Sequence, residues 1–274
     1  MSLASLPMYD WPQLRAETDG LWSAMTENLA QAGFEPPSAL DRETTSAEVW
    51  NHLDLLLSQT CGLPHVVGTA RRTRLICTPT YEVEGCAAGT YSSVLIARPD
   101  GPDAPQAARF AANGPDSLSG WAAPLAHLGE GAIGEVIWTG SHRASMMAVL
   151  EGRADFAALD AVVWDLAQRF EPVARALKVI GWTDPLPAPP FVTSAARPSG
   201  ERARIRGAIA ATLADPKTEP FRQTLRLVRT VAFADVDYDP VRETARAASA
   251  QLAARPDLQA AVARAEADAG WANA

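Results

Sequence analysis

Short apolar runs alternate with segments of helical spacing along most of this chain, and that alternation limits the possible folds more than any other feature. Apolar residues recur at helical spacing in residues 14–29, for example, between the first two runs. The strand-like runs lie at residues 3–8, 53–58, 74–78, 91–97, 109–112, 136–139, 154–159, 178–183 and 191–194. This alternation predicts an α/β fold with a mostly parallel sheet flanked by helices in each half.

Two breaks divide the chain, which at 274 residues is long enough for two lobes. A turn-rich segment lies at 98–105, and prolines cluster within 185–190. We therefore predict a first lobe built from residues 1–97 and 186–274, whose last part reads as helices that include 219–227 and 256–269. Residues 98–185 would form a second, inserted lobe. Strand-end loops of both lobes would then face a cleft, which is a preferred place for ligands.

Charge and composition exclude several classes of function. The formal net charge is −8 and no stretch is rich in Lys and Arg, which argues against a nucleic-acid partner. No run of 18 apolar residues occurs, so we expect a chain that does not span a membrane. The spacing of His and Cys suggests no metal site, and no nucleotide-binding loop occurs, so no cofactor is expected.

The compartment stays open at this stage. Residues 1–6 have neither a basic leader nor an apolar core of signal-peptide length. The chain is therefore cytoplasmic, or it is periplasmic and a leader has been removed. Cys61, Cys77 and Cys86 allow either reduced thiols or, in an oxidising compartment, a disulfide between Cys61 and Cys86.

The turn after the strand at 109–112 has the features of an anion-binding site. A strand that enters a Gly- and Ser-rich turn and then a helix directs backbone N–H groups and the positive end of the helix dipole toward that turn. Ser117 and Ser119 add hydroxyl donors, and Gly120 permits a close approach of the backbone. The alternative is that one of these serines only caps the helix.

Three segments in order carry a resemblance to a known family. They are Asp116-Ser117-Leu118-Ser119-Gly120-Trp121, then Thr139-Gly140-Ser141-His142, and then Val149-Leu150-Glu151-Gly152-Arg153-Ala154-Asp155 leading to Leu159-Asp160. Their order and spacing resemble the phosphate/phosphonate substrate-binding proteins of ABC transporters, over roughly residues 3–193. The resemblance implies the two-lobed periplasmic-binding-protein fold of type II.

The resemblance also implies a set of ligand contacts. The family's Ser-rich helix start, which holds phosphonate or phosphate oxygens, corresponds to Ser117, the backbone N–H of Leu118, and Ser119. Leu118 departs from the hydroxyl residue that is frequent there, so one donor is missing. Three further contacts would come from an aromatic residue at Tyr91, a loop that begins at Gln59, and an acid at Asp160.

Tyr9 and His142 are candidates from their positions alone. Tyr9 lies at the carboxyl end of the first strand, where a phenol could donate to an anion, and Tyr91 has the same possibility. His142 begins a helix and could donate from there. The alternatives are rim tyrosines and a capping or surface histidine. Asp160 could likewise cap the following helix or face a ligand cation.

The favoured interpretation is a solute-binding component of an ABC transporter that captures a small oxyanion in the cleft. Its partners would be that small anionic ligand and an ABC permease. We find no catalytic arrangement and predict that the chain is not an enzyme. Two alternatives remain: a cytoplasmic enzyme on the same fold, similar to menaquinone-pathway enzymes, in which Asp160 or His142 acts on a small carboxylate, and a ligand-sensing module.

Overall fold

The computed structural model describes residues 2–68 and 72–268. The helices are α1 Arg15–Gln31, α2 Ser46–Asn51, α3 Ala123–Leu128, α4 His142–Leu150, α5 Ala161–Phe170, α6 Ser199–Ala214, α7 Glu219–Thr224, α8 Asp239–Ala253 and α9 Pro256–Asp268. The strands are β1 Leu3–Ser5, β2 Leu55–Gln59, β3 Thr73–Tyr81, β4 Cys86–Ala87, β5 Thr90–Tyr91, β6 Ser93–Ala97, β7 Ala108–Ala112, β8 Ile133–Trp138, β9 Phe156–Asp160, β10 Lys178–Trp182, β11 Leu186–Pro187, β12 Phe191–Ser194 and β13 Leu227–Val231. They form sheets of order β1-β2-β12-β3-β13, β10-β6-β9-β7-β8 and β11-β5-β4.

The described residues form two compact units. The first contains the chain up to Glu82 together with residues 86–90 and 187–239, and the second contains residues 83–85, 91–186 and those from 240 onward. Each unit holds one of the five-stranded sheets. The α/β architecture in two units, predicted from the alternation of elements, is therefore confirmed.

The first unit packs helices on its sheet through apolar side chains. Trp22, Met25 and Leu29 of α1 are buried, and α1 contacts α6. Between these helices the side chain of Asn28 donates a hydrogen bond of 3.0 Å to the hydroxyl of Thr212. The apolar face of α1 and the strand residues of β2 thus bury the surface that holds this unit together.

The prediction of mostly parallel sheets is wrong, because both five-stranded sheets contain parallel and antiparallel pairs. In the second unit β7 pairs parallel with β8 and β9, whereas β6 pairs antiparallel with β9 and β10. In the first unit β1 and β2 are parallel, whereas β12 is antiparallel to both β2 and β3. Strands joined through a helix run parallel. β6 instead enters the second unit directly from the first, and β12 enters the first unit directly from the second, without a helix that reverses the chain inside the same unit.

The two units divide the chain differently from the predicted lobes. The predicted first lobe contains 91–97 and 186–274, but β6 pairs with β9 and β10 and so belongs to the second unit. The C-terminal helices also belong there. The indole of Trp138 donates a hydrogen bond of 3.0 Å to the carbonyl of Ala261 in α9. Arg255 donates to the carbonyls of Ile133, at 2.9 Å, and Gly134, at 3.0 Å.

The helix predicted at 219–227 is too long, because α7 ends at Thr224 and strand β13 follows. Arg226 has a φ of 58°, which interrupts the helix and redirects the chain into the strand. β13 then pairs antiparallel with β3. The last predicted helix, 256–269, corresponds to α9, and residue 269 lies outside the described residues. Among the described helices, none combines the length and the apolar character that a membrane crossing needs.

Candidate functional site

The predicted anion-binding turn lies in the second unit, at the end of β7. Residues 113–116 form the turn, and Ser117 is the N-cap of a π-helical turn, Leu118–Ala122, that continues without interruption into α3. The hydroxyl oxygen of Ser117 accepts a hydrogen bond of 3.0 Å from the backbone N–H of Gly120. The capping role of Ser117 is therefore real. Its hydroxyl hydrogen remains a possible donor to a ligand, since a hydroxyl both accepts and donates.

Ser119 and His142 meet at this helix start, although 23 residues separate them. The distance from Ser119 Oγ to His142 Nε2 is 3.3 Å. Both are residues that the sequence singled out. His142 is the first residue of α4 but not its cap, because Ser141 accepts from the N–H of Ala144 at 3.1 Å. The capping alternative for His142 is thus wrong, and the imidazole is turned toward Ser119.

Burial keeps His142 neutral. It lowers the pKa of the imidazole to about 4, and an interaction with the backbone carbonyl of Ala158 opposes this only in part. The cause is the loss of hydration around a positive charge. A neutral imidazole has one N–H donor and one acceptor nitrogen. At neutral pH His142 can therefore donate a hydrogen bond to an anion without adding a charge.

Thr139 fixes the start of α4 next to the end of β7, a role that sequence reasoning missed. Its backbone N–H and its hydroxyl both donate to the carbonyl of Ala112, at 2.9 and 3.1 Å. The same hydroxyl lies 2.7 Å from the hydroxyl of Ser145. This network positions His142 opposite Ser119. The Thr-Gly-Ser-His segment was visible in the sequence, but it does not reveal which carbonyl the threonine reaches.

Gly120 is required by its neighbours. A Cβ placed on this residue would lie 1.8 Å from Asn113 Oδ1 and 3.0 Å from His142 Cε1. The backbone of the helix start is therefore packed directly against the side chains of the turn and of α4. This close approach agrees with the expectation that a glycine here brings the backbone near to other groups.

Two acceptor side chains of the turn were not among the predicted site residues. Asn113 Oδ1 is buried and has no hydrogen-bond partner among the described residues. Burial of Asp116 raises the pKa of its carboxyl to about 6, opposed only by a hydrogen bond from its own backbone N–H. Both lie within four residues of Ser117, so a reader of the sequence could have noted them as the polar residues of the same turn.

Asp160 caps α5, as one of the two alternatives had it. Its Oδ1 accepts from the N–H groups of Val162, at 2.7 Å, and Val163, at 3.3 Å. The residue ends β9, pairs with Ser93 of β6 and is buried. Any contact of Asp160 with a ligand stays a prediction.

Tyr91 also belongs to the second unit. It ends β5, two residues before β6 begins. Its side chain is buried, with 2% of the residue exposed, so it is not the rim tyrosine of the alternative interpretation. Its contact with a ligand stays a prediction.

In the first unit, Tyr81 brings two predicted residues together. The amide of Gln59 donates to the hydroxyl of Tyr81 at 3.1 Å and to the carbonyl of Pro189 at 2.9 Å. The rings of Tyr9 and Tyr81 meet edge to face, with 5.2 Å between their centroids. Sequence reasoning missed Tyr81 because it ended the third strand at 78, whereas β3 extends to Tyr81.

The three cysteines are free thiols in the structure, so Cys61 and Cys86 form no disulfide in it. Burial raises the pKa of the Cys77 thiol to about 12, which makes it a poor nucleophile. Within residues 2–68 and 72–268 no group of three His, Cys, Asp or Glu side chains could hold a metal ion.

The comparisons with known proteins give a family match and a shared fold. A family model described as "ABC transporter, phosphonate, periplasmic substrate-binding protein" matches residues 6–238. No curated protein matches the chain.

Among solved structures, a binding protein component of a phosphonate ABC transporter from Pseudomonas aeruginosa is 16% identical with a TM-score of 0.68, covering 98% of this chain and 97% of that chain. PhnD1 from Prochlorococcus marinus, in complex with methylphosphonate, is 17% identical with a TM-score of 0.66, covering 89% and 97%. XAC2383 from Xanthomonas citri, bound to ATP, is 15% identical with a TM-score of 0.68, covering 91% and 97%.

The structural likenesses are low in identity and show the fold alone. The family match covers most of the chain, and it agrees with the family that the three sequence segments resemble. The prediction of a transport protein on the periplasmic-binding-protein fold is therefore confirmed. This chain belongs to the family of periplasmic substrate-binding proteins of phosphonate ABC transporters.

Proposed function

We propose that this protein captures a phosphonate or a phosphate-type oxyanion at the start of the helix at residues 117–120, with Ser117, the Leu118 N–H, Ser119 and His142 as donors. The observation that carries the proposal is the Ser119–His142 pair. Two polar side chains from distant parts of the second unit converge on one helix start, with 3.3 Å between Oγ and Nε2. In the family, this helix start is the one that holds a ligand's phosphorus oxyanion.

Neutral groups can hold an anion here. The positive end of the helix dipole and the first backbone N–H groups of a helix favour a negative ligand. Hydroxyl and imidazole donors add hydrogen bonds, which are stronger when the acceptor is ionised. None of the four proposed donor residues carries a charge at neutral pH, since His142 is neutral. The ligand would thus keep its charge and exchange water for these donors, with no bond made or broken.

The other predicted contacts are part of the proposal. Tyr9 and Gln59, which Tyr81 joins in the first unit, offer phenol and amide groups. Tyr91 and Asp160, which lie in the second unit, are the remaining proposed ligand contacts. We further propose a periplasmic location and an ABC permease as the partner, on the basis of family membership.

An enzymatic function is less well supported. Asp160, the acid or base of the enzyme alternative, accepts two backbone hydrogen bonds as a helix cap. Those bonds hold the carboxylate at the start of α5. The low pKa of His142 also makes it a poor base near neutral pH. No observation on the structure favours a sensing module over transport.

Isothermal titration calorimetry with methylphosphonate, inorganic phosphate and acetate tests the proposal. We expect saturable binding of a phosphorus oxyanion, a weaker response to acetate, and a loss of affinity of at least about tenfold in Ser119→Ala. Ser141→Ala is the matched control, because it removes a hydroxyl that caps the adjacent helix without lying among the proposed donors. Unchanged affinity in Ser119→Ala, or tight binding of acetate alone, would contradict the proposal.

A further inference from the structure

The side chain of Gln59, in the first unit, has its hydrogen-bonding groups satisfied at one end only. Gln59 ends strand β2, and 3% of the residue is exposed. Its side-chain nitrogen donates to the carbonyl of Pro189 at 2.9 Å and to the hydroxyl of Tyr81 at 3.1 Å. A glutamine amide has two N–H donors, so both are used inside the protein. No group in the described part of the chain donates to its oxygen, Oε1.

The carbonyl of Pro189 determines which end of the Gln59 amide is the nitrogen. A backbone carbonyl accepts hydrogen bonds and cannot donate, so the amide atom that lies 2.9 Å from it must be the donor. An amide nitrogen does not accept, so the Tyr81 hydroxyl accepts from it as well. The oxygen is therefore the only end of the amide that can interact with another molecule.

Gln59 lies at an edge of the sheet where ligands bind in α/β proteins. β1 and β2 are parallel, and Gln59 is the last residue of β2. Tyr9 follows β1, and its ring contacts that of Tyr81 edge to face at 5.2 Å. Ligands bind outside the carboxyl ends of parallel strands. An acceptor without a donor on a buried residue at this edge therefore indicates a contact with a ligand that can donate.

The hydrogen-bond partners of the Gln59 side chain are neutral, namely a phenol and a peptide carbonyl. Asp10, the carboxylate next to Tyr9 in the chain, already accepts from Arg42, with 3.0 Å between Oδ1 and Nη2. A cation that leaves water needs an opposite charge, whereas a hydroxyl needs only an acceptor. The oxygen of Gln59 therefore fits a neutral donor better than an ammonium group.

We propose that Gln59 is a specificity-determining residue whose Oε1 accepts a hydrogen bond from a neutral donor, such as a hydroxyl, on the organic part of a phosphonate. The inference rests on the proposed function, in which Gln59 is a ligand contact. It gives Gln59 the role of an acceptor, whereas Ser117 and Ser119 donate to the phosphorus oxygens. The ligand class is thus a hydroxyalkylphosphonate, because an unsubstituted alkylphosphonate leaves Oε1 without a hydrogen.

Calorimetry at pH 7.5 with ethylphosphonate, hydroxyethylphosphonate and fluoroethylphosphonate tests the inference on the natural protein. The three compounds share the phosphonate group, and fluorine is similar in size to a hydroxyl but cannot donate. We expect the hydroxyl compound to bind about three- to tenfold more tightly than the other two, which is the range that one hydrogen bond gives. Equal affinities would overturn the inference, and so would tighter binding of aminoethylphosphonate than of the hydroxyl compound.

Gln59→Met removes the acceptor and keeps a side chain of similar length. We expect its preference for the hydroxyl compound over the fluorine compound to fall below about twofold. A general disturbance of the first unit would weaken both compounds alike, so their ratio reports the hydrogen bond itself. Gln31→Met is the matched control, because Gln31 ends α1 and is exposed. Its ratio should equal that of the natural protein.

The outcomes separate this inference from the proposed function. A hydroxyl preference that persists in Gln59→Met overturns the role of Gln59. The proposed function stands in that case, since every compound that binds offers the same oxyanion to Ser117 and Ser119. Failure of the natural protein to bind any of these phosphonates would overturn both.

Discussion

The Oγ of Ser119 lies 3.3 Å from Nε2 of His142, so the start of the helix after β7 and the start of α4 share one polar contact. Ser119 is buried, and the imidazole is neutral. The serine hydroxyl can rotate its hydrogen, and the neutral imidazole carries one N–H in the plane of its ring, so both side chains have a hydrogen to donate to a common acceptor. The contact therefore makes the two helix starts one donor group rather than two separate ones.

This pair should act as a unit in ligand binding. We expect Ser119→Ala and His142→Gln each to weaken methylphosphonate binding roughly 10- to 100-fold, because each removes a hydrogen bond to an ionised acceptor. The double variant should lose less than the product of the two single losses. Titration calorimetry on the four proteins measures this coupling, and strictly multiplicative losses would show that the two residues bind independently.

The buried imidazole of His142 should make stability depend on pH. Its pKa is about 4 in the folded protein, below the ordinary value of 6.5. The unfolded chain therefore binds the proton first as pH falls, and the free energy of unfolding should decrease between pH 6.5 and 4, by up to about 3 kcal/mol. Urea denaturation at several pH values measures the decrease.

His142→Gln should remove this part of the pH dependence. His52→Gln is the matched control, because His52 is exposed. If the two variants show the same pH profile as the natural protein, His142 is not buried in the neutral form.

Gly120→Ala should damage the turn. The new Cβ would lie 1.8 Å from Asn113 Oδ1, so the turn or the helix start must move. We expect a loss of unfolding free energy of about 1–3 kcal/mol and weaker anion binding.

Gly207→Ala provides the control for that substitution. Gly207 lies in α6 with nothing within 4 Å of its would-be Cβ, so alanine should stabilise the helix by about 0.5–1 kcal/mol. Thermal unfolding of both variants distinguishes them, and equal melting temperatures would contradict the packing described at Gly120.

Substitutions at Asp160 should separate its capping role from a ligand contact. Asp160→Ala removes the acceptor of the Val162 and Val163 N–H groups and should cost about 1–2 kcal/mol of unfolding free energy. Asp160→Asn keeps an oxygen for the cap and should retain most of that stability. Calorimetry on the stable Asn variant then reports the ligand contact alone. Undiminished binding there would remove Asp160 from the proposed site.

Local patterns were sufficient for most of the elements and for the family, although they missed strand β13. The strand before Ser117 and the helix after it follow from apolar spacing and turn residues, which depend on neighbours within a few positions. Phe191–Ser194 occurs as predicted for the same reason. The ordered segments around Ser119, His142 and Asp160 identified the family, which the match over 6–238 confirms.

Strand direction and unit membership required the tertiary structure. β6 and β12 run antiparallel to their neighbours because of the direction in which the chain enters each sheet, and apolar runs do not record direction. The C-terminal helices belong to the second unit through contacts such as Trp138 to Ala261, over a separation of 123 residues. A helical pattern shows which face is apolar but not which sheet covers it.

The sequence by itself determined most of the elements, the family and the donor types at the turn, because each depends on short-range order along the chain. Only the tertiary structure decided that Ser119 meets His142, that Tyr81 joins Tyr9 and Gln59, and that Asn113 lies against Gly120. These contacts join residues that are apart in the chain and that only tertiary packing brings together. Such contacts leave no periodic pattern in the sequence.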